Sequence, residues 1–162
     1  MDKNEKILRL LEENAHFTHK NIADAVGMTE EEVDRIIEDY EEQGVILGYK
    51  ALINWDKTSR EYVSAIIEIK VQPIKGEGFT QVARQICAFP EVVSCYLMSG
   101  GFDLAVTLEG KSMKEVAMFV FEKLSVIEGV TGTATHFVLN KYKDKELIFE
   151  AQEKDDRQMM GL

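Results

Sequence analysis

Between Val63 and Asn140 the chain runs twice through the same strand and helix pattern, and few folds accommodate that order. In the run VSAIIEIKV, Val63, Ala65, Ile67, Ile69 and Val71 recur at every second position, so they share one face of a strand. Pro73 to Gly78 supplies a turn. Phe79, Val82, Ile86 and Phe89 then fall on one face of a helix that Pro90 ends. Val92 to Met98 reads as a second strand, Gly100-Gly101 as a tight turn, and Asp103 to Glu109 as a third strand. Ser112-x-x-Glu115 is a capping box opening a helix through Leu124, Gly129 closes the next loop, and Thr133 to Asn140 is the last strand. The order strand, helix, strand, strand, helix, strand predicts an α+β, ferredoxin-like βαββαβ domain with both helices on one face of the sheet.

That arrangement leaves the opposite face of the sheet to solvent or to a partner. Its candidate residues, Ile66, Val92, Tyr96 and Met98, are too apolar for water. The second helix also carries VAMFVF (Val116 to Phe121), apolar all round, which a single sheet face cannot bury. A homodimer, building a higher homo-oligomer, is the expected solution.

The amino-terminal residues have a different period. Ile7, Leu8, Leu10 and Leu11 mark a helix over Lys3 to Glu13. Thr18 caps a short second helix with Ile22, Ala23 and Val26 inward and Gly27 as its stop. Thr29 and Glu32 form a capping box for a third, whose buried stripe is Val33, Ile36, Ile37 and Tyr40 and whose stop is Gly44. The small Ala23, with Gly27 four residues on and Val33 six beyond it, is the spacing of a helix-turn-helix, because two helices crossing steeply leave no room for a larger side chain. The domain is therefore expected to be a three-helix, winged or plain helix-turn-helix.

Its charge runs against nucleic acid. From Thr29 to Ile46 the chain has eight carboxylates and one arginine, and residues 1–49 hold thirteen acids against five bases in a chain of net charge −10. Acids in the first turn of a helix suit its dipole, but the base-reading end of such a helix meets phosphate. Lys3, Lys6, Arg9 and Lys20 are the candidate phosphate contacts, and Thr29, Glu30 and Arg35 stand where base edges would be met. His16, His19 and His136 read as surface, capping or interface residues.

The connection runs from an extended stretch, Gly48 to Trp55, through the polar turn Asp56 to Arg60, with Trp55 as a packing anchor. The expected domains are 1–47, a linker strand and hinge at 48–61, the ferredoxin-like domain at 62–142, and a tail at 143–162. That tail is expected to add at most a short strand before mobile final residues. Cys87 and Cys95, both in apolar periodic segments, suit reduced core thiols better than a disulfide framework or a metal site. With no basic, apolar leader and no long apolar run, the chain reads as cytoplasmic, without a membrane partner.

Several short runs carry a resemblance to one family. Pro90-Glu91-Val92 followed by Ser99-Gly100-Gly101-Phe102-Asp103, the run from Gly129 to Thr135 (GVTGTAT), and Gly44-Val45-Ile46 together resemble the Lrp/AsnC, or leucine-responsive, regulators over roughly residues 3 to 142. The resemblance implies a helix-turn-helix joined to a ferredoxin-like ligand and assembly domain. It implies a DNA-binding transcriptional regulator answering to a small effector, an amino acid, near the Gly turn at an interface between dimers. Met98, Gly100, Asp103 and Thr133 are then the candidate contacts: backbone NH groups for a carboxylate and Asp103 for an ammonium. The family's reading helix carries arginines and lysines where Asp34, Glu38 and Asp39 stand here. This motivates a second expectation, a regulatory or scaffold paralogue acting through a protein partner. Sirohaem-decarboxylating enzymes share the two-domain plan, but the chain has no His, Arg and Cys constellation, no nucleophile motif and no metal spacing. No catalytic residue, cofactor or metal is expected.

Overall fold

A computed structural model describes residues 2–72 and 78–149. The chain divides into two compact units, Met1–Leu52 and Ile53–Leu162.

The first unit, among its described residues, is wholly helical: α1 (Lys3–Glu13), α2 (His19–Val26) and α3 (Glu30–Glu42). Ile7, Leu11, Ile22, Ala23, Val26, Val33 and Ile37 form its buried core. Burying each larger side chain contributes about 1.5–3 kcal/mol, against about 1 for a helix cap, so packing sets the fold and the caps set where its helices begin. Both caps match their sequence signals. The Thr18 hydroxyl accepts from the Asn21 N–H at 3.1 Å, and the Thr29 hydroxyl from the Glu32 N–H at 3.2 Å. Gly27 and Gly44 adopt left-handed φ values of 66° and 68°, the conformation that ends each helix without a Cβ penalty. Ile36 and Tyr40 are only half-buried, because α3 turns just Val33 and Ile37 fully into a three-helix core. No strand forms between Gly48 and Asn54, where an extended connection was expected; a strand needs a backbone partner and none is offered within the chain's described residues.

The second unit begins with a 3₁₀ turn at Trp55–Lys57, where the Arg60 guanidinium lies 4.2 Å from the Trp55 ring centroid. β1 (Val63–Val71), α4 (Thr80–Cys87), β2 (Val92–Leu97), β3 (Leu104–Gly110), α5 (Met113–Phe119) and β4 (Val130–Phe137) follow in the expected order. The sheet order is β2-β3-β1-β4, antiparallel throughout. Ala65, Ile67, Ile69, Leu104, Val106 and Leu108 meet Val82 and Ile86 of α4 and Val116 of α5 in one core. The Pro73 to Gly78 turn lies outside the described residues except for Gly78.

Four local expectations differ from the structure. The link between β2 and β3 is a wider loop than a two-residue turn: the Met98 N–H donates to the Asp103 carbonyl at 2.8 Å, and neither Gly100 nor Gly101 has a positive φ. β4 starts at Val130, three residues early, since a bulge at Lys70/Val71 lets β1 pair with Val130 as well. The cap of α5 is half a box. Ser112 accepts from the Glu115 N–H, but the Glu115 carboxylate takes the Lys111 N–H at 2.6 Å instead of that of Ser112. The helix then runs on through a wider π turn, Val120–Leu124. Val92 faces the helices, because a register shift between Val92 and Ser94 inverts the alternation and turns Val93 outward.

The tail contributes a hairpin, β5 (Lys143–Asp144) and β6 (Leu147–Ile148), turned through Lys145 and Glu146 at positive φ. The expected mobile end, residues 150–162, lies outside the described residues.

Candidate functional site

Two places gather the candidate residues, one in each unit. In the first, the turn between α2 and α3 is tied to α1 by lysines. Lys3 Nζ donates to the Gly27 carbonyl at 2.9 Å and Lys6 Nζ to the Ala25 carbonyl at 2.7 Å. These ammonium groups therefore satisfy carbonyls at the end of α2 that the helix itself leaves without partners. Thr29 is occupied with its cap, and its backbone N–H donates to the Glu32 carboxylate at 2.8 Å. That bond first, and the Thr29 hydroxyl second, hold the Glu32 carboxyl below its ordinary value. Glu30, Lys20 and Arg35 are exposed. His19 Nδ1 meets the Asp34 carboxylate across the α2–α3 pair, which gives His19 a structural partner that its position beside a turn did not reveal.

Of six candidate DNA contacts, then, three are tied into the helix-turn-helix itself and three stand on its surface. A shallow cavity of about 410 Å³ also opens in this unit, lined by Leu11, Phe17, Ile37, Glu38 and Tyr49 among others. The Tyr49 hydroxyl donates to Glu41 at 3.0 Å there, and burial together with that carboxylate raises the Tyr49 phenol above its ordinary value.

In the second unit Met98, Gly100 and Asp103 come together in the loop after β2. Asp103 anchors the loop twice: its N–H donates to the Ile69 carbonyl at 3.0 Å, and its carboxylate accepts from the Val71 N–H at 2.7 Å. The second bond is a side-chain cap on the end of β1, which no sequence signal announced. Thr133 pairs with Ile69 on β4, so β1 separates it from β3 and the loop. By strand alternation it lies on the helix-facing side with Ile69.

The bare face of the sheet has its own composition. The register sets Tyr96, Ala105, Glu68 and Ala134 in one row and Ser94, Thr107, Ile66 and His136 in the next. Tyr96 is 59% and Ile66 44% exposed. Polar links cross the face: the Ser94 and Thr107 hydroxyls lie 2.8 Å apart, and His136 Nε2 is 3.3 Å from the Glu68 carboxylate. On α5, Met118 and Phe121 are exposed, as the all-round apolar run anticipated.

Among the described residues no three His, Cys, Asp or Glu side chains are placed to hold a metal ion, and no helix is long and apolar enough to cross a membrane.

Comparison with known proteins places these features. Residues 64–148 match the Lrp/AsnC ligand binding domain, and residues 1–46 match a winged helix-turn-helix DNA-binding domain. The HTH-type transcriptional regulator YugG of Bacillus subtilis is 44% identical, over 96% of this chain and 95% of its own. The leucine-responsive regulatory protein of Haemophilus influenzae is 28% identical, over 88% of this chain and 91% of its own. Among solved structures, the transcriptional regulator NMB0573 of Neisseria meningitidis in complex with L-Met superposes with a TM-score of 0.70 at 25% identity, covering 89% of this chain and 92% of that one. These relatives are regulators of transcription and not enzymes. A helix-turn-helix unit followed by an antiparallel ferredoxin-like unit, matched along nearly its whole length, makes this chain a member of the Lrp/AsnC family of transcriptional regulators.

Proposed function

We propose that the chain is an amino-acid-responsive, DNA-binding regulator that works as a homodimer or a larger homo-oligomer. The observation that carries this reading is the second unit's match to a ligand-binding domain, together with a relative of the same architecture crystallised with L-Met. The effector is assigned to the loop of Met98, Gly100 and Asp103, with Thr133 nearby on β4. Asp103 gives Val71 one carboxylate bond, and its remaining acceptor capacity suits an ammonium group. On the first unit, Lys20, Glu30 and Arg35 would meet DNA directly. Lys3, Lys6 and Thr29 would hold the turn and the start of α3 in place. Several weakly binding first units on one particle raise the effective concentration, which offsets the acidic surface of each. The division is read as a DNA unit over 1–47, a hinge over 48–61, an effector and assembly unit over 62–142 and a tail beyond.

Filter binding to DNA from the region upstream of the chain's own gene tests the reading. Saturable binding whose affinity falls by at least about tenfold between about 50 and 200 mM salt is expected. Calorimetry against a panel of amino acids tests the effector; heat unchanged in Asp103→Ala would remove Asp103 from the contacts.

The acid-rich third helix favours a second reading, a regulatory paralogue acting through a protein partner. Absence of DNA binding even at the lower salt would select it.

A further inference from the structure

The second unit also holds a pair of thiols outside the effector loop. Cys87 is exposed in the last turn of α4, whereas Cys95 is half-buried on β2, opposite Val106 and against the core. The expectation of two core thiols therefore holds only for Cys95. Pro90 ends the helix soon enough for the chain to reverse between the two cysteines, and the reversal is fixed by bonds from the Phe89 N–H to the Ile86 carbonyl and from the Val92 N–H to the Phe89 carbonyl. The two side chains are hydrogen-bonded to each other. A helix end and an edge strand thus present two sulfur atoms in contact, one open to solvent and one behind it.

We propose that Cys87 and Cys95 are a peroxide-responsive pair that closes into an intramolecular disulfide, stapling the end of α4 to β2. The exposed Cys87 sulfur attacks one oxygen of the peroxide; the O–O bond breaks, the other oxygen leaves as water, and a sulfenic acid forms. The Cys95 sulfur then attacks the Cys87 sulfur, the S–O bond breaks, and a second water leaves. Two thiols are oxidised, one sulfur–sulfur bond forms, and one peroxide is reduced to two waters. Burial, and next the neighbouring Cys87, push the Cys95 thiol up to about 11, so it stays protonated at neutral pH and the first attack falls to Cys87. The staple would lock the edge strand that leads directly into the Met98–Asp103 loop.

The full chain, reduced and then treated with hydrogen peroxide, is the test. The expected product is a monomer chain lighter by about 2 Da, for two lost hydrogens, that dithiothreitol restores and whose digest contains a peptide linking residues 87 and 95. Cys95→Ser should instead keep a Cys87 sulfenic acid that dimedone labels, and Cys87→Ser should show neither label nor link. If Cys95→Ser does not fold by circular dichroism, Cys95→Ala takes its place. Chains linked to one another through Cys87, over-oxidation of Cys87 without an internal link, or no reaction would each overturn the proposal.

Discussion

The two units solve the burial problem in opposite ways. The three helices of the first unit converge on Ile7, Ile22, Val33 and Ile37 and leave a surface dominated by charge. The sheet of the second unit buries one face under α4 and α5 but leaves Ile66, Tyr96 and Met98 on the other, with Met118 and Phe121 outside α5. A three-helix bundle has one inside; a sheet has two faces, and two helices cover one. The first unit is therefore complete as a single folded body, while the second has apolar surface that a further copy of the chain would remove from water.

Neighbouring residues of β1 put the contrast to its sharpest test. Ile66→Asp would set a carboxylate in the self-association face, and it is expected to weaken assembly by about 10²- to 10³-fold, roughly 3–5 kcal/mol, in sedimentation or light scattering. An assembly of unchanged size would break the comparison. Ile67 is fully buried one residue away, and Ile67→Ala should instead lower the unfolding free energy in urea by roughly 2–5 kcal/mol. In Asp103→Ala the Val71 N–H loses a charged acceptor, and a loss of about 1.5–3 kcal/mol is expected in the same measurement. A smaller loss than this would shift Asp103 from cap to contact.

The smallest effect belongs to the first unit. Thr29→Ala removes the acceptor of the Glu32 N–H and should cost about 1 kcal/mol in thermal melts near neutral pH. The pH dependence follows from Glu32, whose carboxyl is held below its ordinary 4.5 by the Thr29 N–H and then the Thr29 hydroxyl. A depressed folded value means that this stabilisation is present above about pH 4.5 and is lost as the pH falls through the folded value. The melting temperatures of Glu32→Gln and the parent should accordingly converge in acid; a gap that widens would contradict the box.

How much of this was legible depends on whether the signal was local. Thr18, Thr29, Gly27 and Gly44 each announce a helix end because capping and left-handed geometry involve residues a few positions apart. Ser112 and Glu115 show the limit: the same spacing was present, yet the Glu115 carboxylate chose the Lys111 N–H, which sequence spacing does not distinguish. Strand alternation placed Ile67 and Ile69 correctly but misplaced Val92, because a bulge shifts the parity without a residue that signals it. At the candidate sites the residues were nameable, but their occupations were not. Lys3 and Lys6 reach carbonyls about twenty residues away in sequence, and Asp103 caps a strand that precedes it by thirty.

The sequence by itself determined the two periodicities, the order of elements, the helix caps and the imbalance of acids over bases, all of which follow from neighbours along the chain. Only the tertiary structure decided that Lys3 and Lys6 brace the turn, that Asp103 is already engaged by Val71, and that an exposed Cys87 touches Cys95. Those facts depend on which backbone groups and side chains packing brings within a few ångströms, and a hydrogen bond acts only at that range, whatever the separation in sequence.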